Sequence, residues 1–535
     1  MADVDFTCPG CGTVLNSVNG ALPKFCHNCG TKVEVSANEK PAPAPETDSR
    51  IPTDDRNLWI ATGNEPVYMI TKMVNRHGLV AGATGTGKTV TIKVLAEMFS
   101  AMGVPVFMGD IKGDVSGLCK TGVPNQGVED RVQSMNISGF AYNSYPVQFF
   151  DVYGKNGIPV RTTISGMGPL LISRILGLND TQSGILQIIF KIADDNGLLL
   201  IDLKDLRAMV QYAGDNAKTF TTQYGNITSQ SVGIIQRNLL TLASNGGEIF
   251  FGEPALDLRD WLGRDEKGRG YINILDCVTL FQNPMLYSTF LLWMLSSLYE
   301  MMPEVGDLEK PKMVFFFDEA HILFNDAPKT LLQKIEQVVR LIRSKGVGIF
   351  FITQSPSDIP DTVLSQLGNK IQHALRAYTP KDQKAVKAAA SSFRSNPHFS
   401  SEKVLSELST GEALISVLDS NGAPQVVQRG FILPPRSFIG PASPEQINES
   451  VKGSLLYSKY GQAMDRESAY EVLQDRQKQA AALKQTAAPV QKQTAQVKKK
   501  GTSLGDKALS SAVTGAGREV GRTLVRGLFG GLKIK

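Results

Sequence analysis

The stretch GATGTGKT, positions 82–89, constrains this chain more than any other. The apolar run Gly78–Ala81 precedes it. The segment Thr89–Met102 follows, with Val94, Leu95 and Met98 at helical spacing. Strand, glycine-rich loop and helix in that order complete the pattern GxxxxGK[ST]. The glycines let backbone N–H groups turn inward around phosphate oxygens. Lys88 neutralises the β- and γ-phosphates, the Thr89 hydroxyl holds Mg²⁺, and the helix aims its positive end at the anion. Gly82, Ala83, Thr84, Gly85, Thr86, Gly87, Lys88 and Thr89 are therefore the candidate nucleotide contacts, with ATP and Mg²⁺ as ligands. The alternative, a plain glycine-rich turn, does not explain the strand before and the helix after. With Val104–Met108 as the next strand, the segment reads as a βαβ unit of an α/β fold.

Two further strand ends carry polar groups. In Val314-Phe-Phe-Phe-Asp318-Glu319-Ala320-His321, four apolar residues run into two acids. Carboxylates at the C-terminal end of a parallel strand lie where such a sheet binds its ligand. Asp318 is the candidate Mg²⁺ ligand and Glu319 the group that polarises the attacking water. The bland alternative is an acidic strand-to-helix turn, and His321 either shares in the site or only caps or packs the next helix. Gly348-Ile-Phe-Phe-Ile-Thr-Gln354 ends in an amide that can read a γ-phosphate by hydrogen bonding. Asp110-Ile-Lys112-Gly113-Asp114, after the second strand, is either a charged turn or a loop facing the nucleotide.

Between these motifs, residues 165–265 carry helical periodicity and read as a mainly helical insertion. Tyr271–Asp276, Met313–Phe317 and Gly348–Thr353 read as strands, and Met285–Met301 and Thr330–Ser344 as helices. Ala413–Leu418 and Gln425–Gly430 close the sheet.

The motifs in order resemble the HerA branch of the HerA/FtsK ATPases, in particular its bacterial HerA-like group of unknown function. The residues that carry the likeness are Asn75 through Thr89, Asp318-Glu319-Ala320-His321, Arg343-Ser-Lys-Gly-Val-Gly348 and Thr353-Gln-Ser-Pro-Ser-Asp358. The resemblance runs from about residue 58 to 440 and continues weakly into the tail. It implies a RecA-like P-loop ATPase core assembled as a hexameric ring that moves DNA through a central channel. It also implies arginines supplied by the neighbouring subunit, which match Arg343 and Arg76 here, with Arg340 and Arg376 in reserve. An arginine at such a place stabilises charge spread over the transferring phosphoryl group. Well-studied members carry an N-terminal β-barrel that docks partners. Residues 1–57 read differently here, so the resemblance does not bring a nuclease partner with it.

Those residues contain Cys8-Pro-Gly-Cys11 and Cys26-His-Asn-Cys29, two CxxC knuckles with fourteen residues between them. Four thiolates at this spacing surround one structural Zn²⁺. A unit of this size has too little core to fold without such a staple. The expected organisation is a zinc ribbon at 1–35 and a Pro/Ala-rich linker at 36–57. The α/β core follows at 58–440, and a Gln/Ala/Lys-rich tail at 441–535. Residues 460–500 of that tail read as a loose helix or disorder.

The net charge of +5 is unevenly spread. From 491 to 535 there are ten Lys or Arg against Asp506 and Glu519, a balance of +8 that leaves −3 for the rest. Total charge therefore reveals no nucleic-acid surface in the core. Arg518, Arg522 and Arg526 recur at four-residue spacing opposite Val513, Val520, Leu524 and Leu528. This is a basic amphipathic helix for a subunit or partner, with DNA and a membrane surface as the other choices. The N-terminus lacks the basic start and apolar stretch of a signal peptide, and Phe290–Leu298 is too short to span a bilayer, so the cytoplasm is the expected location.

Three functions fit these readings: a ring motor on DNA, a ring ATPase that moves or remodels protein, and a nucleotide-gated scaffold holding a partner through the zinc ribbon. The ATPase part rests on residues and the DNA part on resemblance.

Overall fold

The computed structural model describes residues 6–7, 14–15, 56–324 and 329–486. The chain divides into two units, Met1–Asp48 and Ser49–Lys535. In the first, β1 (Phe6–Thr7) pairs antiparallel with β2 (Val14–Leu15), Phe6 opposite Leu15. Cys8, Cys11, Cys26 and Cys29, assigned above to Zn²⁺, lie outside the described residues. So does the basic segment 510–529.

The second unit is built on a twelve-stranded sheet. In chain order the strands are β3 (Asn57–Thr62), β4 (Pro66–Ile70), β5 (Gly78–Ala81), β6 (Val106–Asp110), β7 (Val147–Asp151), β8 (Ile158–Pro159) and β9 (Ile272–Asp276). They continue with β10 (Met313–Phe317), β11 (Val347–Thr353), β12 (Asn369–His373), β13 (Glu412–Ser416) and β14 (Gln428–Ile432). Across the sheet the order is β4-β3-β14-β13-β12-β5-β11-β10-β6-β9-β7-β8. From β12 to β8 all neighbours are parallel. The other edge, β13-β14-β3-β4, is antiparallel. This is the α/β architecture read from the motifs, with the parallel centre expected of the RecA-like core that the resemblance implies.

Its middle is set by continuous apolar strands. Every residue of β10 and β11 is buried, as strands covered on both faces require. Alternation sends neighbouring phenylalanines to opposite faces. On one face Phe316 stacks on Phe350 at 5.3 Å, with Phe99 of the helix that follows β5 packed on both. On the other, Phe317 stacks on Phe351 at 5.9 Å and Phe107 on Trp261 at 4.9 Å. Such pairs add about 0.5–1.5 kcal/mol each beyond their buried area.

The helix Lys88–Ala101 (α1) departs from the one-sided pattern in its sequence, since every residue from Thr91 to Ser100 is buried. The chain at 436–439 covers its polar side. Lys93 Nζ donates to the carbonyls of Phe438 (2.6 Å) and Ile439 (3.2 Å). Glu97 accepts the backbone N–H groups of Arg436 and Ser437, both at 2.9 Å, and the Ser437 hydroxyl at 2.6 Å. Burial lowers Lys93 to about 8, opposed first by Glu97. Two charged groups are thus buried with their hydrogen bonds made, which is how burial of a charge is tolerated.

The stretch read as a helical insertion is helical: Ile164–Ile175, Asp180–Asp195, Leu203–Asp215, Ala217–Tyr224 and Ser229–Leu242. Beyond β14, helices Pro444–Gly453, Leu455–Tyr460 and Ala469–Thr486 follow. The last falls where a loose helix or disorder is expected, yet it docks on the insertion. The Ser468 hydroxyl donates to Asp205, and Lys204 Nζ lies 2.8 Å from Asp465 and 3.0 Å from Glu471. These links join residues more than 250 positions apart, so hydropathy along the segment carries no trace of them. No helix among the described residues is long and apolar enough to cross a membrane.

Candidate nucleotide site

β5 is buried throughout and delivers its last residue, Ala81, to the C-terminal edge of the parallel sheet. The loop that follows is tethered on both sides. Gly82 N–H donates to the Thr353 carbonyl at the end of β11 (3.2 Å), and Ala83 N–H to the Ala374 carbonyl beyond β12 (2.9 Å). From outside, Gly411 N–H donates to the Thr86 carbonyl at 2.9 Å. Two glycines are required here by space as well as conformation. Gly82 has φ 153° and a Cβ on it would lie 2.6 Å from the His373 Cβ. Gly87 has φ 110° and its Cβ would meet the Gly411 nitrogen at 3.0 Å. Gly87 opens α1 with no side chain capping the helix start, leaving the first turn's N–H groups for an anion.

Lys88 bends back over this loop, its Nζ donating to the carbonyls of Gly82 (2.5 Å) and Ala83 (3.1 Å). Burial lowers its pKa, and the charge of Lys112 lowers it further. Asp318 and Glu319 oppose both. Lys112 is also felt at Asp318. The segment 110–114, which the sequence leaves open between a turn and a nucleotide-facing loop, thus brings a positive charge to the site. Its shape is held by Gly113 N–H donating to Asp110 Oδ1 at 2.7 Å.

The acid pair stands directly beyond β10. Burial, then Glu319, raises Asp318 to about 6. The Asp318 carbonyl accepts from the buried Tyr287 hydroxyl at 3.1 Å, and Oδ1 accepts from Glu319 N–H at 2.9 Å. Glu319 sits at φ 47°, a left-handed conformation unusual outside glycine and typical of residues held for function. It is 9% exposed, and its Oε2 accepts no hydrogen bond, lying 3.3 Å from His321 Nδ1. His321 thus faces this carboxylate as well as opening the helix His321–Phe324. The Asp318 carboxylate and the Thr89 hydroxyl are hard oxygen donors of the kind that Mg²⁺ takes.

β11 runs between β5 and β10, so Gln354, exposed at its end, stands between the phosphate loop and the acids. Asp358 shapes this turn: its Oδ2 accepts from the Thr353 hydroxyl (2.7 Å) and from Ser355 N–H (2.9 Å).

The arginines divide by the end of the sheet they occupy. Arg76 closes the turn before β5, and Arg343 opens the turn before β11. Both lie at the N-terminal ends of strands whose C-terminal ends carry the site. At about 3.3 Å per residue, the seven residues of β11 put roughly 20 Å between Arg343 and Gln354. Arg343 Nη2 is 3.7 Å from Asp307 Oδ1. Buried His77 follows Arg76 in the chain. Its Nδ1 accepts Ile349 N–H at 3.1 Å, so its Nε2 donates to the Val339 carbonyl at 2.7 Å. Burial chiefly, and Arg343 in part, lower it to about 4. Arg340 is exposed on the helix Lys329–Ile342, while Arg376, exposed beyond β12, shares the phosphate-loop end.

The family model described as helicase HerA-like C-terminal matches residues 56–535. The DNA double-strand break repair helicase HerA of Sulfurisphaera tokodaii is 24% identical over 357 residues, 64% of this chain and 62% of that protein. A probable helicase of Methanocaldococcus jannaschii is 23% identical over 349 residues, 64% of this chain and 60% of its own. The chain therefore spans about three-fifths of the length of these curated relatives. Among solved structures, the unbound conjugative coupling protein TrwBdeltaN70 superposes with a TM-score of 0.48 at 14% identity, covering 72% of this chain and 91% of that one.

Proposed function

Because the chain belongs to the HerA-like helicase family, we propose that it is an ATP-hydrolysing ring motor that works on DNA. The observation that carries the reading is the split of the site. Phosphate loop, Lys112, acid pair and Gln354 gather at one end of the parallel sheet, while Arg76 and Arg343 stand at the other. A head-to-tail ring joins those two ends between neighbours, and six subunits is the number that the family resemblance implies.

In each site the loop N–H groups and Lys88 hold the triphosphate, Gln354 contacts the γ-phosphate, and Glu319 accepts the proton of the attacking water. Thr89 and Asp318 hold Mg²⁺, which supplies charge neutralisation across the phosphate oxygens. Arg343, and Arg76 with it, stabilise the transition-state charge on the neighbour's nucleotide. DNA as the track is supported by a relative named as a DNA repair helicase. Cys8, Cys11, Cys26 and Cys29 hold a structural Zn²⁺ in this reading, on their spacing alone.

Hydrolysis rates with single-stranded DNA, duplex DNA and neither, measured beside particle mass, test the proposal. Acceleration by one DNA form in a hexamer-sized particle is expected; a rate indifferent to both forms favours the protein-remodelling reading. Arg343→Ala should lower kcat by about 10³-fold or more with little change in nucleotide affinity. Mixing Arg343→Ala with Lys88→Ala protein should restore part of the rate, because some interfaces then pair an intact loop with an intact arginine. No recovery in mixed particles overturns the shared site.

A further inference from the structure

We propose that His373 is a positioning residue of the phosphate loop, fixing α1 and the segment 409–412 in register around it. The inference rests on the nucleotide site above and concerns a residue outside the motifs that identify it. His373 ends β12, whose Gln372 pairs with Ala81, so its imidazole lies level with Gly82. It is fully buried, its Cβ directly against Gly82 and its Cε1 3.8 Å from where a Gly87 side chain would begin.

The ring bridges two elements that touch the loop. His373 Nδ1 is 2.9 Å from the Glu412 carbonyl, and Nε2 is 2.8 Å from the Thr91 hydroxyl. A carbonyl only accepts, so Nδ1 carries the proton and Nε2 accepts from Thr91. Thr91 belongs to the first turn of α1, its N–H donating to the Gly87 carbonyl at 3.0 Å. Glu412 follows the segment that lies on the loop's outer side, where Gly411 N–H reaches Thr86. That segment is itself braced: the Glu412 carboxylate accepts from Arg429 Nε (2.6 Å) and Nη2 (3.1 Å) and from Ser409 N–H (2.9 Å). Arg131 Nη1 donates to the Gly411 carbonyl at 3.3 Å. The antiparallel edge of the sheet thereby holds the loop through one neutral imidazole together with the Gly411 N–H. Burial, and secondarily the charge of Lys88, keep the imidazole neutral.

A packing histidine predicts lost stability alone; a positioning residue predicts weaker nucleotide binding in folded protein. His373→Phe, Thr91→Val and Thr91→Ser in the full chain test this, with affinity for a fluorescent ADP analogue, the Tm, and KM and kcat for ATP as readouts. His373→Phe and Thr91→Val should each weaken ADP binding about tenfold, as the loss of a buried hydrogen bond implies. KM should rise more than kcat falls. The double variant should bind no more weakly than His373→Phe. Thr91→Ser, which keeps the hydroxyl, should bind as wild type. Equal affinities across folded variants overturn the proposal even where Tm falls. If His373→Phe does not fold, the Thr91→Val and Thr91→Ser pair decides. A wild-type protein that binds no ADP at all instead overturns the nucleotide site itself, so the two failures are distinct.

Discussion

Glu319→Gln should retain ATP yet hydrolyse it about 10²–10⁴-fold more slowly than wild type, the range a positioned general base supplies. The amide is isosteric and cannot take the proton of the attacking water. The fold should survive, because the hydrogen bond at this turn runs from the Glu319 backbone N–H to Asp318 Oδ1, and Oε2 accepts none. The left-handed backbone at φ 47° is unchanged by the substitution. Single-turnover hydrolysis together with nucleotide affinity checks this. A normal affinity with a single-turnover rate within tenfold of wild type would remove Glu319 from the reaction. The same variant separates motor from scaffold: a motor stalls with ATP bound, whereas a nucleotide-gated scaffold keeps partner binding and cellular function.

Lys88→Ala should fail earlier, with nucleotide affinity and kcat/KM both falling, the latter by about 10²–10³-fold or more. Its ammonium already rests among the carbonyls where phosphate oxygens would draw it, and Asp318 and Glu319 favour its charge while burial and Lys112 oppose it. Stability should change little, since the side chain is only partly buried and its hydrogen bonds go to loop carbonyls. Lys88→Arg should not restore activity, because a planar fork does not replace a compact point charge in a backbone cradle. Calorimetric titration with ADP and ATP checks both variants. Hydrolysis by Lys88→Ala within tenfold of wild type would remove the loop as the phosphate site, and with it the role of the arginines.

The parts of this protein that could be read from sequence are those in which neighbours in the chain set the outcome. Strand, glycines, lysine and helix lie within twenty-five residues, so their order can be read from one short stretch of chain. Four apolar residues running into Asp318 and Glu319 describe a buried strand end in the same way, and the periodicity of 165–265 gives helices without regard to where they dock. Lys112 was half legible, as a charge in a loop of open purpose. His373 was not: it follows Asn-Lys-Ile-Gln, a strand with no glycine, paired acid or recurring spacing to mark it.

The sequence by itself therefore marked out a candidate phosphate cradle and a candidate acid pair, because those groups are built from short-range geometry. Tertiary structure decided which residues meet. Parallel pairing set β11 between β5 and β10 and brought Gln354 between loop and acids. It sent Arg76 and Arg343 to the far end of their strands, and the antiparallel edge closed on the loop through His373. Each of these depends on which strands lie side by side, a choice made by burial summed over the whole sheet rather than by any one segment.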